Sequence, residues 1–466
     1  MKRKILREDV RVVFRGLSCL LEILLLCVIY YLVWRKGYEN ENFPDYYVRG
    51  KYVLAGLYGL LLSLLFGSLE GFLFDQKRSF DLVLGQIIAL IIVNFFTYFQ
   101  LSLIANHLIS PVPMLFLLVL EIAVAVLLII AFTRFFRFLY APQKMLLVYG
   151  SDDAVSLKIK MDTRRDKFNV TDLISHKEGY DAICRRIESF DAVILNDLPA
   201  RLRNDLIKFC YRKNLAVYVV PKISDILVRG GKTVTLFDTP LIQIKKAGID
   251  LHQRAVKRLM DIVLSLVILL LTSPLLIGVA IAIKCEDKGP IFFKQKRLSL
   301  GGKEFDILKF RSMIPNAERI TGAVLSAGKS DPRITRVGRF VRATRLDELP
   351  QFINILKGDM SIVGPRPERR VFVEEFQKTI PEFEFRTKVK GGLTGFAQIY
   401  GKYNTSPYDK LRLDLMYIEN YSLLLDLRLI LLTVKIIFSK ESTEGTDLAK
   451  KTEEERDALL KKMKKN

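Results

Sequence analysis

Histidine, cysteine and tryptophan are the scarce residues of this chain, with three, five and one copies in 466 residues. The cysteines are isolated from one another, so zinc-binding spacing, redox spacing and a disulfide framework are all excluded. The soluble parts are therefore typical of a reducing cytoplasm. No histidine follows His252. This excludes Ser-His and Cys-His nucleophiles and a histidine-rich metal site from the carboxyl-terminal part of the chain.

Apolar and charged residues are both abundant, so they must be segregated along the chain. Hydrophobic residues make up 50% and charged residues 26%, and the net charge is +22. A positive surplus of this size suits an anionic partner: a membrane surface, a phosphorylated substrate or a nucleic acid. The length is sufficient for about three domains of roughly 150 residues.

Four long, nearly uncharged segments occupy residues 11–34, 52–74, 82–106 and 113–133. Each is about 20 or more residues long, as needed to cross a hydrocarbon core of about 30 Å. Basic residues cluster before the first segment, in the second loop and after the fourth segment. The positive-inside rule then places both ends of the block in the cytoplasm. A four-helix transmembrane domain is therefore predicted over residues 1–141.

Short apolar runs alternate with polar, helix-like stretches between residues 142 and 250. Strands are predicted at Met145–Tyr149, Ala192–Leu195 and Leu215–Val220, and the alternation indicates a parallel, Rossmann-like sheet. Only one glycine, Gly150, follows the first strand, whereas a dinucleotide site needs three. We therefore expect a structural or regulatory module and disfavour both nucleotide binding and a membrane-tethered nucleotide-sugar dehydratase.

The apolar run Leu259–Ile283 is long enough to cross a membrane, yet two features predict that it enters and returns. Ser273-Pro274 lies within the run, where proline removes a helix hydrogen bond and kinks the axis. Both flanks are basic, which favours two cytoplasmic ends. A re-entrant helix-break-helix, interrupted at Ser273-Pro274, is predicted over residues 254–285, and an ordinary kinked span is the alternative.

The next region combines turn signals with charged clusters. Strands 291–298 and 304–311 are predicted to form a hairpin around Gly301-Gly302. Arg366 stands between two prolines, a rigid setting that suits a ligand-binding side chain, and a plain structural turn is the alternative. An interfacial helix is predicted over residues 421–438, followed by a charged tail over residues 441–466.

An arginine-rich stretch leads directly into two adjacent acids, Asp347 and Glu348. Arginines recur at positions 333, 336, 339, 342 and 345. Guanidinium groups match phosphate oxygens, while a basic face toward water or lipid headgroups is the simpler alternative. Adjacent acids are more often surface groups than catalysts. With histidine absent, however, carboxylates with arginine and Mg²⁺ remain as the available chemistry, and these are the groups used in phosphoryl transfer.

Residues 254 to about 440 resemble the bacterial sugar transferase family, the monotopic polyprenyl-phosphate hexose-1-phosphate transferases. The whole chain resembles the long members, which have four spans and a Rossmann-like middle domain and initiate capsule, O-antigen or exopolysaccharide assembly. The resemblance implies an α/β membrane protein with an α+β catalytic domain over residues 251–440. It is carried by Lys257-Arg258-x-x-Asp261, Ser273-Pro274, Lys309–Met313, Asp331–Arg339, Leu346–Gln351, Leu356–Pro367, Leu393–Gln398 and Leu413-Asp414 with Tyr417 and Asn420.

The resemblance also implies roles for individual residues. Asp347 would attack the β-phosphate of a UDP-sugar, release UMP and hold the phosphosugar until polyprenyl phosphate takes it. Glu348 would hold Mg²⁺, the expected cofactor. Arg311, Arg342 and Arg366 would bind phosphates.

The expected partners are a UDP-sugar, polyprenyl phosphate, membrane lipids and a second copy of the chain in a homodimer, with no nucleic acid. The expected location is the cytoplasmic face of the inner membrane. Phe396 and Arg345 stand where the family often has tryptophan and a small hydroxyl residue, which puts the sugar or nucleotide preference in doubt. A catalytically inactive scaffold that regulates polysaccharide assembly is the alternative function.

Overall fold

The computed structural model divides the chain into two compact units, one reaching to Val220 and one beginning at Pro221. The predicted charged tail, residues 441–466, lies outside the part of the chain that the structure describes. The predicted domain boundaries stay predictions. The structure describes residues 2–38, 47–140, 142–151, 153–164, 167–244, 248–315, 331–401 and 405–437.

Four long helices open the first unit: α1 (Lys2–Gly37), α2 (Tyr47–Ser68), α3 (Ser79–Ala105) and α4 (Val112–Leu139). Each is long and apolar enough to cross a membrane. Four helices are confirmed at the predicted segments, although α2 ends at Ser68, six residues before the predicted end of the second segment. Many large apolar side chains on them are exposed, which is typical of helices whose surroundings are lipid.

Polar side chains of these helices face one another inside the unit. The Tyr58 hydroxyl donates to Glu121 Oε1 over 2.6 Å, and the Asn94 amide donates to Glu121 Oε2 over 2.8 Å. All three side chains are buried. Intramembrane polar groups need such partners because the hydrocarbon offers none.

A four-stranded parallel sheet with strand order β2-β1-β3-β4 completes the first unit, confirming the predicted sheet. Alternate residues of β1 enter the cores on the two faces, Leu146 and Val148 on one and Met145 and Leu147 on the other. Strand β2 was not predicted. The elements are β1 (Gln143–Tyr149), α5 (Asp153–Asp162), β2 (Phe168–Ser175), α6 (Tyr180–Ile187), β3 (Ala192–Asn196), α7 (Ala200–Arg212) and β4 (Ala216–Val219).

The second unit begins with α8 (Ile223–Arg229) and an antiparallel hairpin, β5 (Lys232–Leu236) with β6 (Thr239–Gln243), which sequence reasoning missed. Helix α9 (Leu251–Asp287) follows and contains Pro274.

The proline of α9 leaves one backbone carbonyl without its usual partner. Pro274 cannot donate to Leu270 O, and the Ser273 hydroxyl donates to that carbonyl instead, over 2.8 Å. This local hydrogen bond allows α9 to continue past the proline as one helix. The predicted range 254–285 is therefore helical, but the break expected at Ser273-Pro274 is not seen, and the re-entrant path stays a prediction.

Helices and short strands then enclose a small core against the carboxyl-terminal part of α9. Val279 and Ile283 of α9 pack on Phe310 and Val341. Strands β7 and β8 form the predicted antiparallel hairpin, and β9 pairs with β10 in parallel. The elements are β7 (Phe292–Leu298), β8 (Glu304–Phe310), α10 (Arg336–Ala343), α11 (Gln351–Lys357), β9 (Ser361–Val363), α12 (Arg370–Gln377), β10 (Gly392–Thr394), α13 (Phe396–Tyr400), α14 (Pro407–Glu419) and α15 (Leu423–Ile437), with 3-10 turns at Leu346–Glu348 and Pro381–Lys388.

Candidate active site

The acid pair lies on a 3-10 turn, Leu346–Glu348, between α10 and α11. Arg345 has φ of 56°, a left-handed conformation that is uncommon for a non-glycine residue. It reverses the chain after α10, and Leu346 then packs against the cluster of Val279, Phe310 and Val341. Apolar packing of Leu346 therefore fixes the two following acids.

Glu348 is held by two cations from different elements. Its Oε1 accepts from Lys309 Nζ of β8 over 3.0 Å and from Arg366 Nη2 over 2.7 Å. Burial alone would raise the pKa of Glu348, but the charges of Arg366 and Lys309 outweigh it and hold the pKa well below its ordinary value. Glu348 is therefore ionised at neutral pH.

Asp347 has a different environment. Burial, and then the negative charge of Glu348, raise the pKa of its carboxyl group, while Lys309, Arg342 and Arg366 oppose the rise. No described side chain donates a hydrogen bond to Asp347. Glu348 is thus held by two cations, whereas the Asp347 carboxylate remains available to a substrate.

The three arginines expected to bind phosphate are not equivalent. Arg366 contacts Glu348 directly, and Arg342 lies close enough to Asp347 to oppose the rise in its pKa. Arg311 is turned elsewhere: its guanidinium forms a bidentate ion pair with Asp287, with Nη1–Oδ2 at 2.6 Å, and Nε donates to Pro290 O over 2.7 Å. In this structure Arg311 ties the end of α9 to β8.

Sequence reasoning missed Lys309 as a site residue. Lys309 is the penultimate residue of β8 and stands two positions before Arg311, which follows the strand. Its closeness to an arginine already expected to bind phosphate was the available signal. The partners of the two side chains differ, because Lys309 contacts Glu348 whereas Arg311 contacts Asp287.

The amino-terminal part of α9 is anchored by the residues predicted to belong to the re-entrant helix. Buried Lys257 pairs with Asp426 of α15 over 2.5 Å. Arg258 donates to the carbonyls of Ile355 and Leu356 at the end of α11. Asp261 is the third anchoring residue, and its Oδ1 accepts from the Ile362 amide over 3.0 Å.

A metal ion would find few protein ligands here. No group of three or more His, Cys, Asp or Glu side chains that could hold a metal occurs within the described ranges. Mg²⁺ commonly uses only one or two carboxylates, together with water and substrate phosphates. The described residues donate no hydrogen bond to Glu348 Oε2, so that oxygen can serve as the protein ligand. The site fits Mg²⁺ on these terms.

The fold and the site together define a class: an α/β protein with apolar, membrane-length helices and an acid pair set among cations, equipped to handle anionic phosphate groups. The bacterial sugar transferase family model matches residues 252–440. Three curated relatives are also similar to this chain.

The first relative is the UDP-N-acetylgalactosamine-undecaprenyl-phosphate N-acetylgalactosaminephosphotransferase of Aeromonas hydrophila, 37% identical over 54% of this chain and 59% of its own length. The UDP-glucose:undecaprenyl-phosphate glucose-1-phosphate transferase of Klebsiella pneumoniae is 38% identical over 57% of this chain and 56% of its own length. The Caulobacter vibrioides protein of the same description is 38% identical over 46% of this chain and 79% of its own length.

This chain belongs to the bacterial sugar transferase family. It spans little more than half the length of the first two relatives.

Proposed function

We propose that this chain transfers a hexose 1-phosphate from a UDP-sugar to undecaprenyl phosphate, giving undecaprenyl-diphosphate-sugar and UMP. The observation that carries the proposal is the contrast within the acid pair: Glu348 is held between Lys309 and Arg366, while Asp347 beside it has no such partner. The relatives' names supply the donor and acceptor classes.

In the first step, an Asp347 carboxylate oxygen attacks the β-phosphorus of the donor. The bond from that phosphorus to the bridging oxygen breaks, and its electron pair leaves with UMP. An acyl phosphate now joins Asp347 to the sugar. Because the attacking and leaving groups are both anionic, nearby cations must offset their repulsion. Lys309, Arg342 and Arg366 supply three positive charges around the reacting phosphate.

In the second step, a phosphate oxygen of undecaprenyl phosphate attacks the same phosphorus and Asp347 leaves as a carboxylate. Glu348 would hold Mg²⁺ through Oε2, and Mg²⁺ would offset the charge of the diphosphate. Arg366 and Lys309 keep Glu348 ionised for this role. Attack by an anionic oxygen needs no general base, which agrees with the absence of histidine from this part of the sequence.

The acceptor is a lipid, so the site must lie at a membrane surface. We propose that four helices cross the membrane and that α9 enters and returns on the cytoplasmic side. Straight, its 37 residues would extend about 55 Å, well beyond a hydrocarbon core of about 30 Å. Residues 266 to 278 include no buried position, and Leu271 is 76% exposed.

Contacts at both ends of α9 support this topology. Asp261 near one end bonds the amide of Ile362, and Asp287 at the other end pairs with Arg311. Both partners belong to the same small domain. A helix that crossed the bilayer would place its ends on opposite sides, where one domain could not hold both.

We also propose a homodimer that forms through the hairpin β5–β6. Every residue of both strands is exposed, and Phe237 at the turn is 92% exposed. Open hairpin edges are excluded from lipid, and a lone two-stranded hairpin is marginally stable in water. With Val234, Leu236, Leu241 and Ile242, the hairpin presents roughly 400 Å² of apolar surface. This is about half of the roughly 800 Å² that each partner buries in a standard interface.

The mass of the detergent-solubilised protein tests the dimer. We expect twice the chain mass, and half of that for a variant carrying Leu236→Thr and Phe237→Ser. A parent protein that is monomeric in mild detergent and in lipid nanodiscs, or a variant that stays dimeric, would contradict this interface.

Replacing Asp347 tests the reaction itself. Asp347→Asn keeps the shape of the side chain but removes the nucleophile, so UMP release should fall at least 10³-fold. Asp306→Asn, an exposed aspartate on β8, is the matched control and should retain activity. The parent enzyme incubated with donor alone should gain the mass of a phosphohexose, and Asp347→Asn should not. Unchanged turnover in Asp347→Asn would refute the covalent role.

The same assay decides the alternative of an inactive scaffold. A scaffold would release no UMP from any donor. Membranes incubated with labelled UDP-glucose, UDP-galactose and UDP-N-acetylgalactosamine should transfer label to lipid from at least one of them.

A further inference from the structure

Donors from three other parts of the chain hydrogen-bond to the backbone carbonyls of the loop that carries Arg366. Pro365 O accepts from the Gly392 amide over 2.8 Å. Arg366 O accepts from Arg386 Nη2 over 2.9 Å, and Pro367 O from Arg297 Nη1 over 3.2 Å. The proline rings fix two further torsions. This short segment therefore has little freedom as long as its donors stay in place.

Two of those donors are guanidinium groups within a buried charge cluster. Arg386 is 4% exposed; its Nη2 lies 2.8 Å from Asp414 Oδ2, and its Nη1 lies 3.7 Å from Glu368 Oε1. Asp414 is 1% exposed. Lys410 and Arg297 complete the cluster by pairing with Glu368.

A buried charged cluster is costly to desolvate, and hydrophobic residues of similar volume often stabilise a fold as well or better. The described contacts indicate a role for this cluster other than stabilising the fold. Arg386 joins Asp414 of α14 to the backbone of Arg366, and the side chain of Arg366 in turn contacts Glu348.

We propose that Asp414 and Arg386 are positioning residues for Arg366: the Asp414 carboxylate orients the Arg386 guanidinium, which holds the Arg366 carbonyl so that the Arg366 side chain meets Glu348. This inference rests on the proposed function, since it assigns Asp414 an effect on catalysis without any contact to substrate. Misplacement of a catalytic group by about 1 Å can cost 10²-fold in rate.

A double-mutant cycle between Asp414→Asn and Arg366→Lys tests the proposal in the full-length enzyme. Each single variant should lower kcat/KM for the donor by about 10- to 100-fold. The double variant should be no slower than Arg366→Lys alone, because Asp414 acts only through Arg366. Losses that multiply in the double variant would overturn the inference, since they would mean that Asp414 acts independently.

The KM for the donor supplies a readout that a general loss of stability would not move. Partial unfolding lowers the amount of active enzyme and leaves KM unchanged. Displacement of Arg366 should instead raise the KM for the donor in Asp414→Asn, to an extent similar to that in Arg366→Lys. An unchanged KM in Asp414→Asn beside a raised KM in Arg366→Lys would refute positioning.

Controls separate the possible failures. Asp409→Asn removes an ion pair with Arg412 on the same helix, 2.9 Å long, and should leave the KM for the donor unchanged. If Asp414→Asn does not accumulate in membranes, Arg386→Lys replaces it in the same cycle. Lysine keeps the charge but lacks the planar guanidinium whose Nη2 contacts both Arg366 O and Asp414 Oδ2. Full activity of Arg366→Lys would count against the proposed role of Arg366 itself, whereas multiplying losses count only against Asp414.

Discussion

Replacing Lys309 by methionine isolates one of the two cations on Glu348. Lys309 donates to Glu348 Oε1 over 3.0 Å, and Arg366 remains at 2.7 Å. The Lys309 and Glu348 side chains are 20% and 18% exposed, so solvent screens their interaction only in part. A hydrogen bond to a charged group contributes about 1.5–3 kcal/mol. At about 1.4 kcal/mol per factor of ten in rate, kcat/KM should fall roughly 10- to 100-fold.

The loss of activity in Lys309→Met should be larger at low pH than at high pH. Lys309 favours the ionised form of Glu348, so its removal raises the pKa of that carboxyl. Glu348 then protonates as the pH falls, and activity is lost at a higher pH than in the parent enzyme. UMP release measured from about pH 4 to pH 8 reports both effects, because the loss of Lys309 moves the pKa of Glu348 upward toward the reference value of a glutamate, near 4.3.

A matched control separates the site from general effects of charge. Lys294→Met removes an exposed lysine from the neighbouring strand β7 and should leave kcat/KM and its pH dependence unchanged. Equal behaviour of Lys309→Met and Lys294→Met across the pH range would refute the assignment of Lys309 to the site.

Two further substitutions test the anchoring of α9. Lys257→Met leaves the fully buried Asp426 without its cation, so the free energy of unfolding should fall by about 3–5 kcal/mol. Thermal melting in detergent checks this, with exposed Lys303→Met as a control that should melt like the parent. Arg311→Lys loses the bidentate pair with Asp287 and should lower the free energy of unfolding by about 1–3 kcal/mol. Its KM for the donor should change less than twofold, and a large increase in KM would instead favour direct phosphate binding by Arg311.

Periodicity and turn chemistry were enough to predict much of the fold. The four apolar segments, the parallel sheet and the Gly301-Gly302 hairpin depend on local pattern, which is why they could be recognised. Strand β2 was missed because its run Phe168–Ser175 contains Asn169, Thr171 and Asp172 and does not resemble a buried strand. The hairpin β5–β6 was missed because its apolar residues have no core to face.

The site was only partly predictable, for a different physical reason. Adjacent acids and proline-flanked Arg366 stand out in the sequence. Which cation contacts which acid depends on tertiary packing around the end of α9. That packing brings Asp287 to Arg311 across 24 residues and leaves Lys309 to contact Glu348. Likewise, nothing near Asp414 in the sequence indicates that it reaches the loop of Arg366 through Arg386.

The side of the membrane on which Cys285 is labelled tests the central claim most directly. Cys285 is an exposed cysteine near the end of α9, while Cys184 and Cys210 are buried. In a variant with the other four cysteines replaced by serine or alanine, a membrane-impermeant maleimide should label Cys285 in inverted membrane vesicles and not in intact spheroplasts. Labelling in intact spheroplasts would place the acid pair on the side opposite to soluble UDP-sugars and contradict the account.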